Sequence, residues 1–232
     1  MKSNQILLVG GIVLSSEIIW YLYKRFYKHR NTSMNTSKVS NANDHGPKEK
    51  ISEVMFFREE SSLCRAHFIS NIDCFKDNCS VRYLRKLESY INQAEQSLDV
   101  CMYMLTCQLL AIAIVNAHKR GVLVRIIMDR HMASQGVSET ALFHNNGVAI
   151  RLEQLNGLMH HKFVIVDNLM VITGSTNWTM TAFFGNFDHV LVTNQRTLVK
   201  PFVDEFDRLW KAFSKSSENL DCLLKPSADN SS

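Results

Sequence analysis

The segment from residue 160 to residue 177 constrains the fold of this chain more than any other part of it. It reads His160-His161-Lys162-Phe163-Val164-Ile165-Val166-Asp167 and, six residues later, Gly174-Ser175-Thr176-Asn177. Apolar runs at 163–166 and 169–173 flank Asp167-Asn168, a dipeptide typical of a tight turn. The pattern therefore predicts a buried β-hairpin with polar residues at its open end.

Side chains alternate along a strand, so His160 and Lys162 are expected on one face and His161 on the other. Ser175 and Asn177 repeat the same two-residue spacing on the second strand. A nucleophilic imidazole, a fixed ammonium and two neutral hydrogen-bonding groups suit attack on a phosphodiester, because this reaction leaves negative charge on phosphate oxygens. The alternative is an ordinary hairpin with polar residues at its ends by chance.

These residues match the pattern H-x-K-x4-D-x6-G-S-x-N, on which the chain resembles the phospholipase D superfamily. The flanking residues, in 163–166 and 173–179, resemble its Zucchini, or mitochondrial cardiolipin hydrolase, branch. The resemblance implies an α/β fold, a phospholipase D-type sandwich with a central, mostly parallel sheet. It implies a catalytic domain over residues 51–215, and the 46% hydrophobic content of the 232 residues is enough for one core.

Members of this superfamily use two such motifs. One histidine attacks phosphorus and forms a phosphohistidine, while the other protonates the leaving oxygen and then activates water. This sequence has a single H-x-K, which implies a homodimer with the active site at its interface. His160 would be the nucleophile or the acid/base, and Lys162, Ser175 and Asn177 would hold the phosphate. No catalytic metal is expected, because lysine supplies the positive charge.

Two carboxylates accompany the motif. Asp167 belongs to the catalytic signature, yet its position along the strand is opposite in parity to Lys162 and favours a role in bracing the hairpin. The family usually orients its histidine with a glutamate in an Asn-x-Glu setting, and Asn186-Phe187-Asp188 offers an aspartate instead. Asp188 is expected either to support His160 or to cap a strand. Gly174 is expected to let the backbone approach the phosphate.

Three of the six cysteines form the pattern Cys64-x2-His67-x6-Cys74-x4-Cys79. This spacing suits tetrahedral zinc, and in a reducing compartment a metal site is favoured over disulfides. The alternative is three incidental cysteines on a loop and a surface histidine. The Zucchini branch carries a Cys3His zinc insertion here, so the resemblance implies a structural zinc in residues 64–79. Cys101 and Cys107 are expected in the core, and Cys222 as a free thiol.

The first 30 residues are predicted to be a membrane anchor. Residues 5–23 form a largely apolar run long enough to cross a bilayer, interrupted by Glu17. Basic residues follow the run instead of preceding it, which is the reverse of a signal peptide and favours an uncleaved anchor. An amphipathic surface helix or a transit peptide is the alternative. Residues 31–50 are predicted to be a flexible linker, and 216–232 a disordered tail.

Helices and strands are predicted to alternate between the zinc segment and the tail. Apolar spacing predicts helices from Ser80 onward and at 108–120, 137–146 and 198–213, and strands at 98–105, 122–128, 148–152 and 189–193. The helices between strands favour βαβ units with parallel strands.

The substrate stays open at this point. The resemblance implies either a single-strand-specific endoribonuclease of piRNA biogenesis, with piRNA-pathway proteins as partners, or a cardiolipin hydrolase that produces phosphatidic acid. It also implies the mitochondrial outer membrane, with the catalytic domain facing the cytosol. A different class is a catalytically silent membrane adaptor for RNA-processing proteins. Candidate substrate contacts are Lys119, Arg120, Arg125, Arg130 and Arg151, and for base stacking Phe183, Phe184 and Phe187. A narrow polar groove would favour RNA, and a wide apolar mouth would favour lipid.

Overall fold

The computed structural model describes residues 50–214, except 71, 73, 75, 77, 136–138 and 154–156. These residues belong to the unit Pro47–Ser232. In chain order the elements are β1 (Ser52–Phe57), α1 (Ser61–Ser70), α2 (Ser80–Asn92), β2 (Ser97–Met102), α3 (Gln108–Lys119), β3 (Leu123–Met128), α4 (Arg130–Ala133), α5 (Thr140–Asn145), β4 (Ala149–Leu152), β5 (Lys162–Val166), β6 (Met170–Gly174), α6 (Met180–Gly185), β7 (Asp188–Thr193) and α7 (Arg196–Ala212).

The strands of the described part form one sheet in the order β1-β7-β6-β5-β2-β3-β4. β2, β3 and β4 are parallel, because helices connect them. The other four neighbouring pairs are antiparallel. The expected mostly parallel sheet is therefore wrong, and the sheet is mixed. The physical reason is that a tight turn joins β5 to β6, and only an antiparallel pair can be closed by so short a connection.

The sheet is covered on both faces, which confirms the predicted α/β sandwich. One face packs under α1, α2, α3, α5 and α6 around residues such as Leu98, Val100 and Val164. The other face packs under α7, where Phe206 and Leu209 contact the core that contains Phe163. Cys101 and Cys107 are buried, as predicted.

The central hairpin is confirmed. Asp167 and Asn168 form its turn with φ values of 54° and 56°, the left-handed values that a two-residue hairpin turn needs. The predicted helices and strands are present with small shifts at their ends, whereas β1, α1, α4 and α6 were not predicted. The anchor, all of the linker except Lys50, the tail and Cys222 fall outside the described residues. Within the described ranges, no helix has both the length and the apolar character needed to cross a membrane.

Candidate active site

His160 and Lys162 lie together where β5 begins. Lys162 Nζ is 3.3 Å from each ring nitrogen of His160 and donates a hydrogen bond to the His160 carbonyl oxygen at 3.0 Å. The His160 ring packs against Tyr103, with ring centroids 4.5 Å apart. His160 is exposed, whereas only 9% of the Lys162 surface is. An exposed imidazole beside a held ammonium is the arrangement that contact with an incoming phosphate requires.

The charge of Lys162 depends on two opposing influences. Burial lowers the pKa of its ammonium, and the negative charge of Asp188 acts in the other direction. The ammonium also lies over the ring of Tyr103, 5.2 Å from its centroid, and such a contact favours the charged form.

This environment predicts the alkaline limb of the pH–rate profile. If Lys162 must be charged to bind phosphate, kcat/KM should fall at a pH below 10.5, the ordinary lysine pKa, because the pKa is lowered. Asp188→Asn removes the charge that raises this pKa, so the limb should move to still lower pH. The measurement is kcat/KM against pH for both proteins with bis(p-nitrophenyl) phosphate. A limb at the same pH in Asp188→Asn would contradict the coupling of Asp188 to Lys162.

Asp188 contacts the second half of the motif. Its Oδ1 accepts a hydrogen bond from Ser175 Oγ at 2.5 Å, and its Oδ2 accepts one from Asn186 Nδ2 at 3.1 Å. Among the described residues, no hydrogen bond joins Asp188 to His160. Asp188 is thus the first residue of β7 and a support for the Ser175 hydroxyl, and the expected orienting contact with the histidine is not seen.

His189 is a residue of this site that the motif did not predict. Its ring Nδ1 is 3.3 Å from Ser175 Oγ, and its backbone N–H donates to the same oxygen at 3.1 Å. Its carbonyl oxygen accepts the hydroxyl of Thr176 at 3.0 Å. The only signal in the sequence was its place directly after Asp188, and the fold brings it to Ser175 through the pairing of β6 with β7.

Gly174 is required by the neighbouring strand. A Cβ atom at this position would lie 2.0 Å from the carbonyl oxygen of His189, so a larger residue does not fit between β6 and β7. Gly174 therefore has a role in strand packing, and its predicted role toward phosphate stays a prediction. Asn177 Oδ1 is buried without a hydrogen-bond partner among the described residues. Such an acceptor is costly to leave unpaired and is available to a donor on a ligand.

Asp167 lies at the opposite end of β5 from His160. Its Oδ1 accepts the backbone N–H groups of Gln96 and Ser97 at 2.7 and 2.8 Å, and Oδ2 accepts that of Glu95 at 3.1 Å. The whole strand separates Asp167 from Lys162, so the structure does not bring it into the site. Asp167 braces the hairpin against the start of β2, which replaces the catalytic role implied by its place in the motif.

His161 points to the other face of the sheet, as alternation predicted. Its ring packs against Phe163 with centroids 5.6 Å apart, and its Nε2 is 3.6 Å from a carboxylate oxygen of Glu205 in α7.

Most of the basic candidates for substrate contact bind within the fold instead. Arg125 donates hydrogen bonds to the carboxylates of Asp99 and Asp207. Arg120 donates to the backbone carbonyl oxygens of Asn92 and Ala94. Arg130 donates to the carbonyl oxygen of Glu153, and Arg151 to that of Trp210. Lys119 is exposed. Phe183 and Phe184 belong to the core, whereas Phe187 beside Asp188 is 77% exposed. Of the three aromatic candidates, only Phe187 is therefore accessible.

The four predicted zinc ligands come together beside α1 and α2. Cys64 and His67 lie three residues apart in α1, and Cys79 directly precedes α2. The ligand atoms of these residues and Cys74 all lie within 4.8 Å of one another. Zinc–sulfur bonds of about 2.3 Å in a tetrahedron would place them about 3.8 Å apart. His67 Nδ1 is buried without a partner among the described residues, and a metal would satisfy it. The cluster could therefore hold a zinc ion with four protein ligands.

Cys79→Ser is expected to reduce the zinc content from about one per chain to near zero and to lower the melting temperature, because structural zinc contributes folding energy. Elemental analysis and circular dichroism measure the two effects. Cys107→Ser is the matched control, since Cys107 is equally buried but lies outside the cluster. Equal zinc content in the two variants would rule out the cluster as the zinc site.

Known proteins resemble this chain in sequence and in structure. A family model described as cardiolipin synthase, PLD-like domain, matches residues 87–210. The mitochondrial cardiolipin hydrolase of Xenopus tropicalis is 42% identical over 126 residues, 54% of this chain and 60% of that protein. The protein of the same name from Drosophila melanogaster is 30% identical over 88% of this chain and 87% of its own length. Nuc from Salmonella typhimurium, a phospholipase D family member, has a TM-score of 0.56 and 27% identity over 70% of this chain and 95% of that one.

The chain has a mixed sheet whose central hairpin carries H-x-K at the start of one strand and G-S-x-N at the end of the other. These features define a class, and this chain belongs to the phospholipase D superfamily. Within it, the chain belongs to the mitochondrial cardiolipin hydrolase, or Zucchini-like, branch. The resemblance predicted from the motif is thereby confirmed. The chain spans 60% of the length of the two Xenopus relatives that it matches.

Proposed function

We propose that the protein is a phosphodiesterase that cleaves through a phosphohistidine at a site shared by two copies of the chain. The observation that carries this proposal is the contact of the exposed His160 ring with the buried ammonium of Lys162. An adaptor without activity has no need of such a contact. Lys162, Ser175 and Asn177 would hold the phosphate, and no catalytic metal is needed where an ammonium offsets its charge.

The chemistry divides into two displacements. A ring nitrogen of one His160 attacks phosphorus, and the P–O bond to the leaving group breaks as the His160 of the second copy donates a proton to that oxygen. Water then attacks the phosphohistidine, the second histidine accepts its proton, and the P–N bond breaks. The products are a phosphomonoester and an alcohol.

The homodimer is tested by mixing equal amounts of wild type and His160→Ala and allowing subunits to exchange. Random pairing should place half of the wild-type chains in mixed dimers, so activity should fall to about half of that from the same wild-type amount alone. Recovery of mixed dimers through a tag on one partner establishes exchange. Unchanged activity in recovered mixed dimers would rule out a shared two-histidine site.

Single-stranded RNA is the first proposed substrate, which would make the protein an endoribonuclease of piRNA biogenesis. Phe187 supports it, because an exposed ring beside the phosphate site can stack on a base. Cardiolipin is the second candidate, supported by the names of the relatives. The exposed apolar residues Leu158 and Phe187 near His160 and Asp188 also suit a lipid.

The deciding experiment incubates the 232-residue chain with single-stranded RNA and, separately, with cardiolipin liposomes, each beside His160→Ala. RNA cleavage by histidine attack should leave a 5′-phosphate and a 3′-hydroxyl and should not need the 2′-hydroxyl. A 2′,3′-cyclic phosphate would contradict the mechanism. Release of phosphatidic acid alone would establish the lipid activity, and activity on neither substrate would favour the adaptor.

We also propose that the chain is anchored in the mitochondrial outer membrane with its catalytic domain in the cytosol. The names of the relatives support the organelle. The apolar run at 5–23 and the basic residues after it support the anchor and its direction. Protease added to intact mitochondria should degrade the catalytic domain, and protection of that domain would contradict this orientation.

A further inference from the structure

Asp129 is a buried carboxylate, only 2% exposed, that uses both of its oxygens. It follows β3 and caps the short helix α4, where its Oδ1 accepts the backbone N–H of Met132 at 3.1 Å. Its Oδ2 accepts the backbone N–H of Met159 at 3.3 Å. The second bond is not part of the helix cap, because Met159 lies 30 residues further along the chain.

Met159 directly precedes His160, and both residues lie outside the strands. The backbone on the two sides of His160 is held by two separate bonds. Before His160 there is the bond from the Met159 N–H to Asp129, and after it the carbonyl oxygen of His161 accepts the N–H of Tyr103 at 2.9 Å. Without the first bond, the backbone before His160 would lack its tie to the end of β3.

We infer that Asp129 is a positioning residue for His160, an inference that rests on the proposed function. Its carboxylate fixes the backbone from which the imidazole reaches phosphorus, and it has no contact with substrate. A misplacement of about 1 Å at an attacking group can reduce a rate about 10²-fold. Loss of the bond between Asp129 and Met159 is therefore expected to lower turnover. Binding should change little, because Lys162 and Ser175, which would hold the phosphate, make their hydrogen bonds to His160 and Asp188 and not to Asp129.

Asp129→Ser separates the two roles of the carboxylate. Serine is a good N-cap and can accept the Met132 N–H, but its side chain is too short to reach Met159. With bis(p-nitrophenyl) phosphate, kcat should fall about 10²-fold while KM stays within about threefold. The asparagine of Asp129→Asn can accept from only one of the two N–H groups, so the kcat of this variant should lie between those of Asp129→Ser and wild type. Met159→Leu keeps the backbone N–H and serves as the matched control, with kcat expected close to wild type.

Thermal denaturation of each variant, with assays well below the melting temperature, separates positioning from loss of folded protein. Amide exchange at Met159, faster in Asp129→Ser than in wild type, tests the bond without reference to activity. A wild-type kcat in Asp129→Ser, or a kcat loss no larger than the loss of folded protein, would overturn the inference. Failure of the wild type itself to cleave any phosphodiester would instead overturn the proposed function, and the positioning role with it.

Discussion

Replacing His160 with alanine is expected to reduce phosphodiester turnover by about 10⁴-fold or more, because it removes the imidazole proposed to attack phosphorus. The other imidazole of the site, His189, contacts Ser175 and not the Lys162 ammonium. His161→Ala is the matched control, since it removes the adjacent imidazole. The His161 ring lies on the other face of the sheet, against Phe163 and Glu205, so its loss should change turnover by less than about threefold.

Single-turnover assays on both alanine variants, with circular dichroism to establish folding, measure the difference. The phosphoenzyme should be trapped by a denaturing quench at alkaline pH, where the P–N bond survives, in wild type and His161→Ala, and it should be absent in His160→Ala. Equal losses of turnover in the two variants would show that the face of β5 that carries His160 is not the catalytic face.

Arg125→Met is expected to reduce the free energy of unfolding by about 3–5 kcal/mol, because it leaves a buried carboxylate without its partner. Arg125 donates two hydrogen bonds of 2.7 Å to Asp99, whose side chain is 1% exposed, and one of 3.0 Å to Asp207. Burial raises the pKa of Asp99 in spite of these bonds. Desolvation therefore outweighs the attraction at the Asp99 carboxylate, whereas at Arg125 the two carboxylates outweigh burial and raise the pKa of the guanidinium. The Asp99 charge is the costly member of the pair, so removal of its cation should be severe.

Arg208→Met is the matched control, because Arg208 also donates two hydrogen bonds of 2.7 Å to one carboxylate, that of Glu205, but is exposed. Arg208→Met should reduce the free energy of unfolding by less than about 1 kcal/mol. Urea denaturation of both variants measures the contrast, and the double variant Asp99→Leu/Arg125→Met should recover much of the lost stability. Similar costs for the two arginine variants would show that burial does not decide the strength of these pairs.

The local parts of the fold and site were predictable because their signals lie close together in the sequence. The hairpin followed from two apolar runs around Asp167-Asn168, and the faces of His160 and His161 followed from alternation. The zinc cluster followed from the spacing of Cys64, His67, Cys74 and Cys79, although the helix that carries the first two was not predicted.

Features that depend on strand order could not be predicted from residues that lie close together in the sequence. The direction of β5 relative to β2 is set by packing, so the mixed sheet was not predicted. Val54 and Phe56 are apolar although they are exposed, so β1 lacks the alternation of apolar and polar residues that predicts a strand. Asp129 could have been recognised as a helix cap after a strand, but its bond to Met159 is visible only in the folded chain.

The hydrogen bonds between Asp167 and the start of β2 fix which histidine lies on the face of the proposed active site. A slip of β5 by one residue would reverse the faces of every side chain on it, and would present His161 in place of His160. The hydrogen bonds from Gln96 and Ser97 to Asp167 oppose that slip from the far end of the hairpin, about 20 Å of strand away from the reacting group. An insertion or substitution at this distant turn is therefore expected to abolish the proposed phosphodiesterase activity while leaving His160, Lys162, Ser175 and Asn177 unchanged.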